Sequence, residues 1–122
     1  MTPNDSTSIS PKEIYMSHVA TTKIFENEKI IVWEMVLEPG ESSGVHTHEH
    51  DYVFHVIEGS TGEILDKEGN QLGILELKAG DTMFLKLDGE ELVAGNLRVP
   101  ITHNARNAGT TRYKEILIET KS

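Results

Sequence analysis

Four of the six histidines in this 122-residue chain fall between Gly40 and Gly59, at His46, His48, His50 and His55. Imidazole nitrogens bind divalent first-row metals at about 2.0–2.1 Å, so spacing decides whether such a cluster can act as a ligand set. Val45, Val53, Phe54, Val56 and Ile57 favour extended backbone here. Pro39-Gly40 and Glu58-Gly59 bracket the stretch with turn residues. In extended chain His46 and His48 stand at i and i+2, on one face and roughly 7 Å apart at their Cα atoms. That pair is a candidate half-site for a metal. On spacing alone, a solvated loop beside Glu49 and Asp51 competes with it. The chain has no cysteine, so any ligand must be imidazole, carboxylate or phenolate.

Strand parity sorts the neighbours. Tyr52 shares its face with Phe54 and Val56, whereas His55 has the opposite parity and should look away from the pair. His50 and Glu49 read as solvated loop residues, and His18 as incidental. Gly80-Asp81 is turn chemistry, with Asp81 supporting the turn. Asn107 reads as a loop cap that uses side-chain to backbone hydrogen bonds.

The elements that must position these groups are strands. Ile14-Tyr15-Met16 and Thr21 to Phe25 are short β-leaning pieces, and Ile30 to Leu37 is a nearly continuous apolar strand ended by Glu38-Pro39-Gly40. Such a strand should be covered on both faces, one by the core and the other by a packed tail or a second subunit; a homodimer is expected, with His55 and part of the N-terminal segment under the partner. After Gly59, strands from Glu63 to Asp66 and from Gln71 to Leu77 flank a tight turn at Glu68-Gly69-Asn70. Thr82 to Lys86 follows, and Arg112 to Thr120 alternates as a final strand carrying Ile116 and Ile118. Strands of this length between Gly-rich turns, without a helical period, predict an all-β sandwich or barrel.

Length fits one domain. Residues 1–13 read as a flexible tail and 14–122 as the domain. With 37% hydrophobic and 25% charged residues the composition is that of a soluble globular protein. No apolar run approaches the ~20 residues of a membrane helix, and no export signal follows Met1, so a cytoplasmic location is expected. A net charge of -9 argues against nucleic acid and anionic membranes as partners.

With those strands in place, the sequence resembles the cupin superfamily, small double-stranded β-helix barrels of jelly-roll type. The first motif of that family is a Gly, five residues, His-x-His, three or four residues, Glu, six residues, Gly. Gly40, His46, His48 and Gly59 fall on it, with Tyr52 in the place of Glu. The second is a Gly, five residues, Pro-x-Gly, two residues, His, three residues, Asn. Here Gly80 opens it and His103 and Asn107 close it. Lys86 stands where the family has Pro, and Gly89 to Pro100 is inserted before His103. The run H-T-H-E-H-D-Y is also similar to a subgroup of very small cupins with His-x-His-x-x-Asp-Tyr, often hypothetical proteins.

The resemblance implies His46, His48 and His103 as ligands of one divalent ion (Fe, Mn, Ni or Zn). It implies Tyr52 as a ligand, a neutral donor or a catalytic acid/base. The implied function is a metal-dependent enzyme, a dioxygenase or an isomerase- or lyase-like protein, acting on a small anionic metabolite. The alternative is a non-catalytic cupin that binds a metal or a small molecule. Phe54, Phe84 and Arg98 are the expected substrate-pocket residues. The insertion, with its apolar Leu92, Val93, Leu97 and Val99, is expected either to cover the entrance as a lid or to extend a sheet as a hairpin.

Overall fold

Short β-favouring runs separated by turns become eleven strands in the computed structural model, which describes residues 22–121; no helix occurs among the described residues. In chain order they are β1 (Thr22–Glu26), β2 (Ile30–Leu37), β3 (His46–Thr47), β4 (Asp51–Glu58), β5 (Ser60–Leu65) and β6 (Gln71–Leu77). Then come β7 (Thr82–Asp88), β8 (Glu91–Ala94), β9 (Leu97–Pro100), β10 (Thr102–Asn107) and β11 (Tyr113–Thr120). They build a seven-stranded sheet in the order β1-β2-β11-β4-β7-β8-β9 and a four-stranded sheet in the order β3-β10-β5-β6. Residues 1–13, Ile14-Tyr15-Met16 and His18 lie outside the described residues.

The side-chain period of two decides what each strand buries. On β2, Trp33, Met35 and Leu37 are buried and the intervening residues are half-buried, so the first set faces the core. On β4, Tyr52, Phe54 and Val56 turn inward, while His55 is exposed and meets Thr82 Oγ1 at 2.6 Å through Nδ1. On β11 the inward face is Tyr113, Glu115, Leu117 and Glu119, and Ile116 and Ile118 lie on the other, half-buried face. Apolar groups also stand in solvent outside the barrel, among them Ile24, Ile57 and Phe84.

The insertion Gly89 to Pro100 is the hairpin β8–β9. It pairs with β7 and extends the seven-stranded sheet, Leu87 facing Leu92 and Leu92 facing Val99. Leu92 is 0% exposed and Val99 is buried, which fixes the hairpin as a wall of the barrel rather than a lid over its mouth. Burial of a leucine side chain contributes roughly 1.5–3 kcal/mol, so the anchor is substantial.

Turn residues set the ends of the histidine stretch. Gly40 has φ 88°, a region that L side chains avoid. A Cβ at Gly59 would lie 2.4 Å from the Leu77 carbonyl oxygen, so only glycine lets β4 pass into β5 there. Asp81 Oδ2 accepts from the Lys78 N–H at 2.8 Å, closing the β6–β7 turn. Asn107 Nδ2 donates to the carbonyls of Leu37 and Thr111, both at 2.8 Å, and its Oδ1 accepts from Gly109 N and Ser60 Oγ. Its cap therefore ties the end of β10 to both sheets.

Candidate metal centre

The site is built on the antiparallel pair β3 and β10, in which His46 and His103 are direct Cα partners. His48 follows β3 on the same inward face, and its backbone N–H donates to the Ile101 carbonyl at 2.9 Å. His46, His48 and His103 are 5%, 2% and 5% exposed. Their ring centroids lie 4.8–4.9 Å apart.

Backbone carbonyls fix two of the rings. His46 Nδ1 donates to Gly44 O and His103 Nδ1 donates to Pro100 O, each at 2.7 Å. A carbonyl only accepts, so Nδ1 carries the proton in both rings and Nε2 keeps its lone pair for a cation. Ser43, itself buried, adds a longer contact from Oγ to His46 Nδ1 at 3.3 Å. His48 Nδ1 is buried without a hydrogen-bond partner among the described residues, an arrangement that native interiors rarely leave unanswered.

The three residues each offer a nitrogen, all within 4.8 Å of one another. Nitrogens on a shared ion at about 2.1 Å stand roughly 3–3.5 Å apart, so the rings need only close slightly. The donor set therefore fits a first-row metal ion. Among the described residues no Asp or Glu joins the cluster.

Burial sets the charge state. Desolvation, followed by the neighbouring His103, pushes His46 down to about 4, against the pull of its bond to Gly44. Desolvation and then His46 and His103 push His48 well below the ordinary histidine range. His103 is lowered too, by desolvation, with its Pro100 bond opposing. All three rings are neutral at pH 7, the form that ligates. Protons thus compete for these nitrogens only at lower pH than they would for a free imidazole.

Tyr52 stacks on His48, with centroids 4.3 Å apart and planes 19° off parallel. Desolvation, then Glu115 and Glu119, raise its hydroxyl further above the ordinary phenol range. The residue in the place of the family carboxylate is therefore a neutral phenol, a hydrogen-bond donor beside the cluster.

The three rings and Tyr52 line a cavity of about 90 Å³ between the two sheets. Phe54 lines it as well, with Met35, Leu77 and Leu85 in its apolar wall and Leu97 and Val99 contributed by the inserted hairpin. Two expected pocket residues lie elsewhere. Phe84 has the outward parity of β7 and is 52% exposed, whereas Met83 and Leu85 take the inward positions. Arg98 points to solvent from β9 and pairs with Asp88 and Glu91 at 3.2 and 2.9 Å, because Leu97 and Val99 hold the inward positions of that strand.

The residues that sequence reasoning missed are acids. Glu115 lines the cavity, and its Oε1 accepts from the Tyr113 hydroxyl at 2.5 Å. Desolvation pushes its carboxyl up to about 7, with the Tyr113 bond opposing. Glu119 Oε1 accepts from Trp33 Nε1 at 2.6 Å, and burial raises its carboxyl as well. Their signal was the run Tyr113-x-Glu115-x-Leu117-x-Glu119, at the parity opposite to Ile116 and Ile118.

Comparison with known proteins agrees with this architecture. No family model matches the chain, and no curated protein matches it. Among solved structures it is similar to a cupin domain from Bordetella pertussis Tohama I, at 24% identity and a TM-score of 0.61, over 83% of this chain and 91% of the other. It is also similar to a conserved double-stranded β-helix protein from Klebsiella pneumoniae, at 23% identity and a TM-score of 0.55, over 95% and 90% of the two chains. A cupin-family protein with a double-stranded β-helix fold from Methanocaldococcus jannaschii matches at 12% identity and a TM-score of 0.52, over 81% and 76%. No helix among the described residues is long and apolar enough to cross a membrane. Taken with the sheet order and the three converging histidines, these likenesses establish that the chain folds as a cupin, a double-stranded β-helix whose histidine cluster could hold a metal ion.

Proposed function

We propose that the protein is a metal-dependent cupin enzyme acting on a small anionic metabolite. One observation carries this reading: three buried, neutral imidazoles converge on one point at the cavity, with no carboxylate among them. A divalent ion held by His46, His48 and His103 would keep its full charge for a carboxylate or enolate and would polarise a substrate carbonyl. The chain supplies the rest. Tyr52, stacked on His48 and protonated, donates a hydrogen bond to an oxygen bound beside the rings. Met35, Leu77 and Leu85 exclude water, which strengthens every polar contact in the cavity.

The test is to load the protein with Mn²⁺, Fe²⁺, Ni²⁺ or Zn²⁺ and screen short carboxylates and 2-oxo acids for binding and turnover. The expected result is metal-dependent binding, with turnover that Tyr52→Phe slows by about 10²-fold or more, the usual weight of a general acid. Metal-dependent binding without turnover of any compound would instead give a non-catalytic binding cupin.

The same proposal includes a homodimer through the outward face that carries Ile57 and Phe84, large apolar side chains 43% and 52% exposed. A monomer by light scattering at micromolar concentration would remove it.

A further inference from the structure

The cavity has a second polar end, and most of its polar groups are already committed. Thr61 Oγ1 donates to Glu76, Arg106 is paired with Glu63, and the Asn107 amide is consumed by its cap. The Tyr113 hydroxyl is spent on Glu115 Oε1. Apart from the histidines and the Tyr52 hydroxyl, that leaves Glu115 Oε2. It has no hydrogen-bond partner among the described residues, although Glu115 is only 5% exposed and lines the cavity. The strand neighbours directly opposite Glu115 are Met35 on β2 and Val56 on β4, which offer no polar side-chain atom. A carboxyl oxygen without a protein partner on a cavity-lining residue is open to a hydrogen bond from a ligand.

We propose that Glu115, held by Tyr113, is the second ligand contact of this cavity and selects a short carboxylate that carries a hydroxyl at its far end. This rests on the metal reading of the histidine cluster, which takes the carboxylate end.

Three observations point to a hydroxyl. The Glu115 carboxyl is pushed up to about 7 by burial, so acid and carboxylate both exist near neutral pH. The acid donates from Oε2 and the carboxylate accepts there. A hydroxyl answers both, an ammonium answers only the carboxylate, and a methyl answers neither. Second, a further anionic group is disfavoured at this end, because the ionised form repels it and the one cationic lining residue, Arg106, is paired with Glu63. Third, the two ends stand on different sheets. The three rings lie on and beside β3 and β10 of the four-stranded sheet, whereas Glu115 stands on β11 of the seven-stranded one. The hydroxyl therefore belongs on the carbon chain's far end, not beside the carboxylate.

The experiment is calorimetric titration of Zn²⁺-loaded protein with propanoate, butanoate and pentanoate and with the terminally hydroxylated form of each. The expected result is that, at one chain length or more, the hydroxyl tightens binding about tenfold or more. Glu115→Leu should reduce that gain below about twofold, and Glu115→Gln, whose amide both donates and accepts, should retain most of it. Glu115→Met replaces the leucine variant if the latter does not fold. Equal binding of acid and hydroxy acid at every length, a hydroxyl gain that survives in the apolar variant, or no binding by any member overturns the proposal. If the hydroxyl gain appears but binding is the same with and without Zn²⁺, the metal reading fails and the Glu115 contact stands.

Discussion

Two polar groups are buried in this barrel, and they answer burial with opposite chemistry. The histidine cluster stands on and beside the four-stranded sheet, whereas the Glu115–Tyr113 pair stands on β11, inside the seven-stranded one. Desolvation drives each toward its neutral form, lowering a base and raising an acid. His46 falls to about 4 and Glu115 rises to about 7. What separates their roles is the partner of the second polar atom. In His46 and His103 a backbone carbonyl takes Nδ1–H and aims Nε2 inward. In Glu115 a phenol takes one oxygen and leaves the other to the cavity. Burial pushes both groups toward neutrality; the second-atom bond makes one a cation site and the other a proton-exchanging contact.

The largest effect should come from trying to break that division. Replacing His103 by Ala is expected to weaken Zn²⁺ binding by more than 100-fold in chelator competition, because loss of outer partners alone costs 10–100-fold. Glu115→Leu should leave Zn²⁺ affinity within about twofold. If the two variants weaken the metal equally, Glu115 belongs to the metal site and the two regions are one.

Stability against pH sharpens the contrast in the metal-free protein. His46 is depressed from 6.5 to about 4, so its contribution is present above pH 6.5 and is lost as pH falls through about 4. Glu115 is raised from 4.5 to about 7, so its contribution is present below pH 4.5 and is lost as pH rises through about 7. Between pH 4.5 and 6.5 the two slopes oppose, which flattens the wild-type profile. Glu115→Gln should expose the histidine slope, with denaturant-measured stability rising toward neutrality. The gain over wild type should reach on the order of 3 kcal/mol at pH 7, from 1.36 kcal/mol per pKa unit. Parallel profiles for the two proteins would mean that Glu115 is not held as an acid.

A smaller change is expected at Ser43. Its 3.3 Å contact to His46 Nδ1 is secondary to the 2.7 Å bond to Gly44 O, so Ser43→Ala should shift metal affinity less than about threefold, below the usual outer-partner range. The least effect belongs to Arg98→Ala. Its ion pairs are half-exposed and such pairs contribute about 0.2–1 kcal/mol. Thermal stability should barely move, and carboxylate binding should not change at all.

Much of the metal end was legible in the sequence, because its signal is short-range. His46 and His48 at i and i+2 in a β-favouring run share a face whatever the rest of the chain does. Gly40 and Gly59 mark places that only glycine tolerates, and Asn107 caps as its type suggests. The carboxyl end was hidden by a competing rule. In Tyr113 to Thr120 the apolar choice for the inward face is Ile116 and Ile118, yet the inward set is Tyr113, Glu115, Leu117 and Glu119. Hydrophobicity failed there because both faces of the strand carry apolar residues and the acids are held by Tyr113 and Trp33, contacts that no local pattern encodes. Phe84 misled for a related reason: a large aromatic on β7 stands outside while Met83 and Leu85 fill the interior. The apolar insertion was equally compatible with a lid, and only its pairing with β7 makes it a wall.

The central claim is that the three imidazoles bind one metal through neutral nitrogens. X-ray absorption at the metal edge of Zn²⁺- or Co²⁺-loaded protein, with stoichiometry by elemental analysis, tests it most directly. The account predicts one ion per chain with imidazole scattering from three nitrogens at about 2.0–2.2 Å, and loss of that ion in His46→Ala, His48→Ala and His103→Ala. A stoichiometric ion retained in these variants, or a bound ion with no imidazole in its shell, would contradict it.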